Sequence, residues 1–205
     1  MSTPEQGYDA ERVELLWLPL GAGDNTHCVK WNGHLYEAVA AWTSRRERCA
    51  LYHAALQVQV DGARWTIEMG PAWGLAAPDR GVVLVGPVGL RRLGRWRAFR
   101  YEVRRWRGGV IPDADEAVGS PVHPATDAER AARLLDLVAL APAATWGRDE
   151  LGAGEMWNSN SLVSWLLVSS GHDAASVRPP DGGRAPGWDA GLVVAGRAAL
   201  DTDPR

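Results

Sequence analysis

Residues 51–71 read LYHAALQVQVDGARWTIEMGP, and the fold class follows from them. His53, Ala55, Gln57 and Gln59 alternate with Ala54, Leu56, Val58 and Val60, the period-2 pattern of a strand with one buried face. Asp61–Gly62 then turns the chain into a second strand over Arg64–Met69, because this pair tolerates the positive φ angles of a two-residue hairpin loop. Strands joined by hairpins pair antiparallel, so the expectation is an antiparallel sheet.

Working outward, Val13 to Leu18 reads as a first strand ended by Pro19 and the glycines of LGAGDN. CVKWNGHLYEAV places two short apolar runs around Asn32–Gly33, a second hairpin signal. GVVLVGPVGL is a short apolar strand bounded by glycines and Pro87. WRAFRYEVRRW alternates Phe99, Tyr101 and Val103 with Arg100, Glu102 and Arg104, which predicts a long strand with one wet face. Thr126 and Glu129 form a capping-box pattern, followed by the apolar stripe Ala131, Leu134, Leu135 and Val138. A second helix is expected in GEMWNSNSLVSWLLVSSG, opened by the polar run Asn158–Ser161 and stopped at Gly171. AGLVVAG reads as a last apolar strand, and residues 1–11 as a frayed polar tail. No repeat or linker divides residues 1–205. The economical architecture is one α+β domain, an antiparallel sheet packed against two main helices.

Composition narrows the function classes. At 205 residues and 46% hydrophobic, the chain can bury one substantial core. A net charge of -3 argues against a nucleic-acid or membrane-surface protein as a whole. Two cysteines, Cys28 and Cys49, make no disulfide framework. No signal-like segment opens the chain, and no run approaches the ~18 apolar residues of a membrane span. The expected location is therefore the cytoplasm, with reduced thiols. Eleven tryptophans against one phenylalanine serve either core packing or an aromatic-lined cleft.

Three segments carry candidate chemistry. The Asn158–Ser161 run stands at a helix N-terminus, where unpaired N–H groups suit an oxyanion, or where the same residues are plain caps. His53 begins a strand, and Glu68 ends the strand paired with it, so both lie near one end of the hairpin. A carboxylate there can orient an imidazole, and Ser159, with Ser161 second, supplies a nucleophile for a nucleophile–base–orienter set.

These positions, His53 in LYHAAL, Glu68 in WTIEMGP and Asn158-Ser159-Asn160 with Leu162 in WNSNSL, resemble the circularly permuted papain-like superfamily. That group includes lecithin:retinol acyltransferase-like proteins, PPPDE-type isopeptidases and permuted relatives of NlpC-type peptidases. The resemblance spans roughly residues 50 to 170, with the permuted order of His first and nucleophile helix last. It implies a permuted papain-like fold and a hydrolase or acyltransferase acting on an amide, ester or thioester bond. His53 would be the base, Glu68 its orienter and Ser159 the nucleophile, with Trp157, Asn158, Asn160 and Ser161 lining the cleft or oxyanion hole. No cofactor or metal is implied; the partner is a small-molecule or peptide substrate.

One departure matters. The superfamily has Cys where this chain has Ser159, and a hydroxyl ionises far less readily than a thiol beside an imidazole. The alternative is a catalytically inactive papain-like module that binds a peptide or acylated ligand. Residues 91–107, RRLGRWRAFRYEVRRWR, carry eight arginines among Trp96, Phe99, Tyr101 and Trp106. That composition fits an anionic partner, while strand alternation explains it as a solvated face and argues against nucleic acid. His27, Cys28 and His34 match no standard metal-ligand spacing.

Overall fold

The computed structural model describes residues 11–20, 45, 47–72, 81–111, 114–119 and 121–201. The hairpin expected at Asn32–Gly33, with His27, Cys28 and His34, lies outside the described residues, as does most of the polar tail.

Among the described residues, five strands form one antiparallel sheet: β1 (Arg12–Pro19), β2 (Tyr52–Val60), β3 (Ala63–Pro71), β4 (Val82–Pro87) and β5 (Arg100–Arg107), in the order β1-β2-β3-β5-β4. The β2–β3 hairpin turns at Asp61–Gly62, both at positive φ (51° and 68°), the two-residue geometry that pair favours. Register sets Trp17 opposite Ala54, Leu15 opposite Leu56 and Leu56 opposite Ile67. These side chains share one face of the sheet, and three helices cover it: α1 (Ala128–Leu137), α2 (Ser159–Ser169) and α3 (Trp188–Asp201). The opposite face holds a smaller cluster of Leu16, Leu18, Ala55 and Ile111.

The coarse α+β architecture stands, with three corrections in detail. AGLVVAG is not a strand but part of α3. A short apolar run cannot by itself separate strand from helix. Trp188, Gly191 and Ala195 are all buried, and their 3-and-4 spacing is the helical signal that the run itself hides. Helix α1 is capped by Asp127, whose carboxylate accepts from the Arg130 amide at 2.8 Å. Thr126 is one residue too early, and its hydroxyl lies 2.9 Å from His172 Nε2. Finally, β5 starts at Arg100, with 3₁₀ turns at Arg91–Arg95 and Arg97–Phe99 before it, and its polar face is not wet. Arg104 is only 4% exposed. A buried guanidinium needs paired carboxylates, and it has two. Its Nη1 donates to Glu68 at 2.8 Å and its Nη2 to Glu102 at 2.8 Å.

Helices α2 and α3 pack unusually close. Gly191 faces Ser164 and the Ser161 carbonyl so tightly that any Cβ there would overlap both. The Ser164 hydroxyl donates back to the Trp188 carbonyl at 2.7 Å. This contact fixes where the first turn of α2 sits.

Candidate functional site

The Asn158–Ser161 run opens α2 as expected, in extended backbone at Asn158 (φ -162°). Asn158 Oδ1 accepts from the amides of Asn160 (2.9 Å) and Ser161 (3.2 Å). Ser161 Oγ in turn accepts from the Asn158 amide at 3.1 Å, completing a capping box. Two of the helix's orphan amides are thus satisfied internally.

The remaining amide groups reach across the chain. Asn158 Nδ2 donates to the Pro186 carbonyl at 2.8 Å. Asn160 Nδ2 donates to the same carbonyl at 2.9 Å and to the Tyr52 carbonyl at 3.0 Å. One side-chain pair therefore clamps α2 to β2 and to the segment leading into α3. Gly187 belongs to the same knot: its amide donates to Glu155 at 2.8 Å, and a Cβ there would come within 2.6 Å of Asn158 Oδ1.

Ser159 is different. It is 6% exposed, and its hydroxyl makes no hydrogen bond to another described residue. Asn160 Oδ1 is buried and likewise without a partner among the described residues. Trp157 is buried in the main core, and its backbone bridges to Trp146.

His53 and Glu68 lie elsewhere. His53 sits opposite Leu18, on the face of Leu16, Ala55 and Ile111, whereas α2 covers the face of Tyr52, Ala54 and Leu56. The sheet thus separates the imidazole from the end of α2. Protein crowding around this half-buried ring pushes its pKa down to about 4. Continuing the β2–β3 register sets Ala55 opposite Glu68, so His53 and Glu68 share a face as diagonal neighbours. The Glu68 carboxylate, however, is committed to Arg104. Ser159, His53 and Glu68 are not brought together.

Protein-family models, curated proteins and solved structures give no match to this chain.

The described residues hold a second concentration of functional groups that sequence reading named but did not place. Arg91, Arg92, Arg95, Trp96, Arg97 and Phe99 are all exposed on the 3₁₀ turns after β4. Arg95 stacks over the Trp96 ring at 4.0 Å, and Trp96 and Phe99 centroids lie 6.4 Å apart. Alongside is an open hollow of about 400 Å³, lined by Val85, Gly86, Pro87, Arg91 and Arg100 among others. The signal was present in the uninterrupted run RRLGRWRAFR, which contains five arginines and no acid. Strand alternation is the sequence-based explanation of its arginines, and the strand begins only at residue 100. No group of three or more His, Cys, Asp or Glu suited to a metal occurs among the described residues. No helix there is long and apolar enough to cross a membrane.

Proposed function

We propose that this chain is a catalytically inactive binding module that recognises a peptide ligand. The observation that carries this reading is the commitment of each group the triad would need. Asn158 and Ser161 are spent on capping, Glu68 is held by Arg104, and His53 faces away from α2. A hydroxyl needs a base within hydrogen-bond reach to act as a nucleophile, and Ser159 has none among the described residues. In this reading the papain-like resemblance lies in the order of elements and not in chemistry. The hydrolase or acyltransferase reading keeps one observation in its favour, the unpartnered Ser159 hydroxyl at the first turn of α2.

Activity-based labelling separates the two. Fluorophosphonate and β-lactone probes should leave Ser159 unmodified, as judged by peptide mass mapping. In Ser159→Cys, the pH dependence of alkylation should be the same with and without an added His53→Ala substitution. Labelling of Ser159, or a thiol pKa that rises when the imidazole is removed, overturns the non-catalytic reading.

A further inference from the structure

The sheet has two edges, and they are finished differently. At β1 the outer edge is covered: Leu15 exchanges both backbone hydrogen bonds with Val122, and Val118 donates to the Trp17 carbonyl. At β4 the cover stops early. Trp146 donates to the Pro87 carbonyl and accepts from the Gly89 amide, closing only the C-terminal end of the strand. From Val82 to Gly86 no described residue outside β5 exchanges a backbone hydrogen bond with the strand.

Alternation along an antiparallel strand then fixes which groups face out. The Pro87 carbonyl points outward to Trp146, so Val85, two residues earlier, also turns its N–H and C=O away from β5. Pro87 itself fits an outward position, having no N–H to offer. The side chains here are apolar and exposed: Val82 and Val85 are each 45% accessible. Native sheets protect such edges with short length, charge or a covering segment. VVLVGP contains no charge of its own.

The charge lies beside it. The hollow at the end of β4 joins Val85 and Gly86 to Arg91 and Arg100. Arg91, Arg92 and Arg95 form no ion pair with a described residue. Of the nearby acids, Glu102, opposite Val85, pairs with Arg104, and Glu150 accepts from the Thr145 amide and hydroxyl while its charge also acts on Arg91 and Arg148 without a close ion pair.

We infer that the β4 edge accepts an extended, carboxylate-bearing segment of another protein as a sixth strand, with Arg91, Arg92 and Arg95 receiving its acidic side chains. This inference rests on the binding-module reading and names its ligand class. Main-chain hydrogen bonds to an exposed edge supply affinity, and alternate side chains supply selectivity. Charge complementarity selects the occupant. A second copy pairing through its own β4 would bring no carboxylate to the arginines. A nucleic acid would satisfy the arginines but leave the outward backbone groups of Val85 without a ladder partner.

The test uses the full chain and a fluorescein-labelled ten-residue peptide alternating valine and glutamate, read by fluorescence anisotropy. Saturable binding is expected, at least tenfold weaker for a valine–lysine peptide and for a valine–glutamate peptide N-methylated at alternate residues. Val85→Pro removes an outward N–H without deleting a hydrogen bond to β5, and Arg91→Glu with Arg95→Glu changes only exposed side chains. Each should weaken binding at least tenfold with an unchanged circular dichroism spectrum. Should Val85→Pro perturb that spectrum, the double arginine variant and the N-methylated peptide still decide. Equal binding of the lysine or N-methylated peptide overturns the inference. So does tighter binding of a deoxythymidine decamer or phosphatidylserine vesicles, or a concentration-dependent doubling of mass through β4. Loss of the peptide result with Ser159 unlabelled defeats only this inference, whereas labelling of Ser159 defeats the underlying reading on its own.

Discussion

Asn158 and Ser159 are adjacent, and their side chains do unrelated work. Asn158 accepts from two helix amides and donates to Pro186. Replacing it with Ala removes a cap and leaves buried groups unsatisfied, a loss of about 1–3 kcal/mol. Ser159→Ala breaks no side-chain hydrogen bond and should stay within about 0.5 kcal/mol of the native chain. Urea unfolding of the two variants side by side checks the contrast. A second residue-scale prediction concerns pH. Burial holds His53 near pKa 4, and burial together with Arg130 lowers His172, which sits between the Ser170 and Thr126 hydroxyls. Both folded pKa values lie below the unfolded one, so the unfolded chain binds more protons as the pH drops below about 6.5. Stability is therefore full above pH 6.5 and falls toward pH 4, by at most about 1.4 kcal/mol per pH unit for each imidazole. His53→Gln should flatten the slope between pH 7 and 5 in denaturant titrations, where carboxylates contribute little.

At the scale of elements, legibility followed locality. The β2–β3 hairpin and the start of α2 were readable because Asp61–Gly62 and Asn158–Ser161 act on their own neighbours. The placement of β5 between β3 and β4 was not, since no local pattern says which strand a later one joins. The same limit explains Arg104. Alternation correctly assigned it a face, yet whether that face is wet depends on what lies over it and on the two carboxylates beside it. It also explains the site: His53 and Glu68 were rightly placed near one end of the hairpin, but which face α2 would cover is a tertiary fact. Helix α3 was misread for another reason, since GLVV suits both periods and the glycines looked like boundaries. Gly191 serves close approach to α2, which gives a prediction. Gly191→Ala should destabilise the chain by about 1–3 kcal/mol or more through overpacking against Ser164 and the Ser161 carbonyl. Gly196→Ala on the same helix, with open space around it, should cost nothing or stabilise. Thermal melts of the two variants make the comparison.

Over the whole molecule, charge is divided unevenly. Residues 91–107 contain eight of the 22 basic residues in a chain of net charge -3. The arginines split by environment: Arg104 is buried in an ion triplet, Arg105 donates to the Leu135 carbonyl at the end of α1, and those before residue 100 are exposed. That last group lies along the one sheet edge that remains open among the described residues, whereas the exposed Arg107 stands at the far end of β5. A basic run in sequence thus resolves into exposed arginines before β5 and, within the strand, two arginines held by the fold at Arg104 and Arg105.

The bond from Asn160 to the Tyr52 carbonyl spans 108 residues of chain. Its consequence is kinetic. Contacts of such separation form only after the intervening loop entropy has been lost, so the clamp should close after the transition state for folding. In stopped-flow measurements, Asn160→Ala should leave the refolding rate nearly unchanged and accelerate unfolding, a φ-value of about 0–0.3. A helix whose first turn is written in four adjacent residues would then be among the last parts of the molecule to lock.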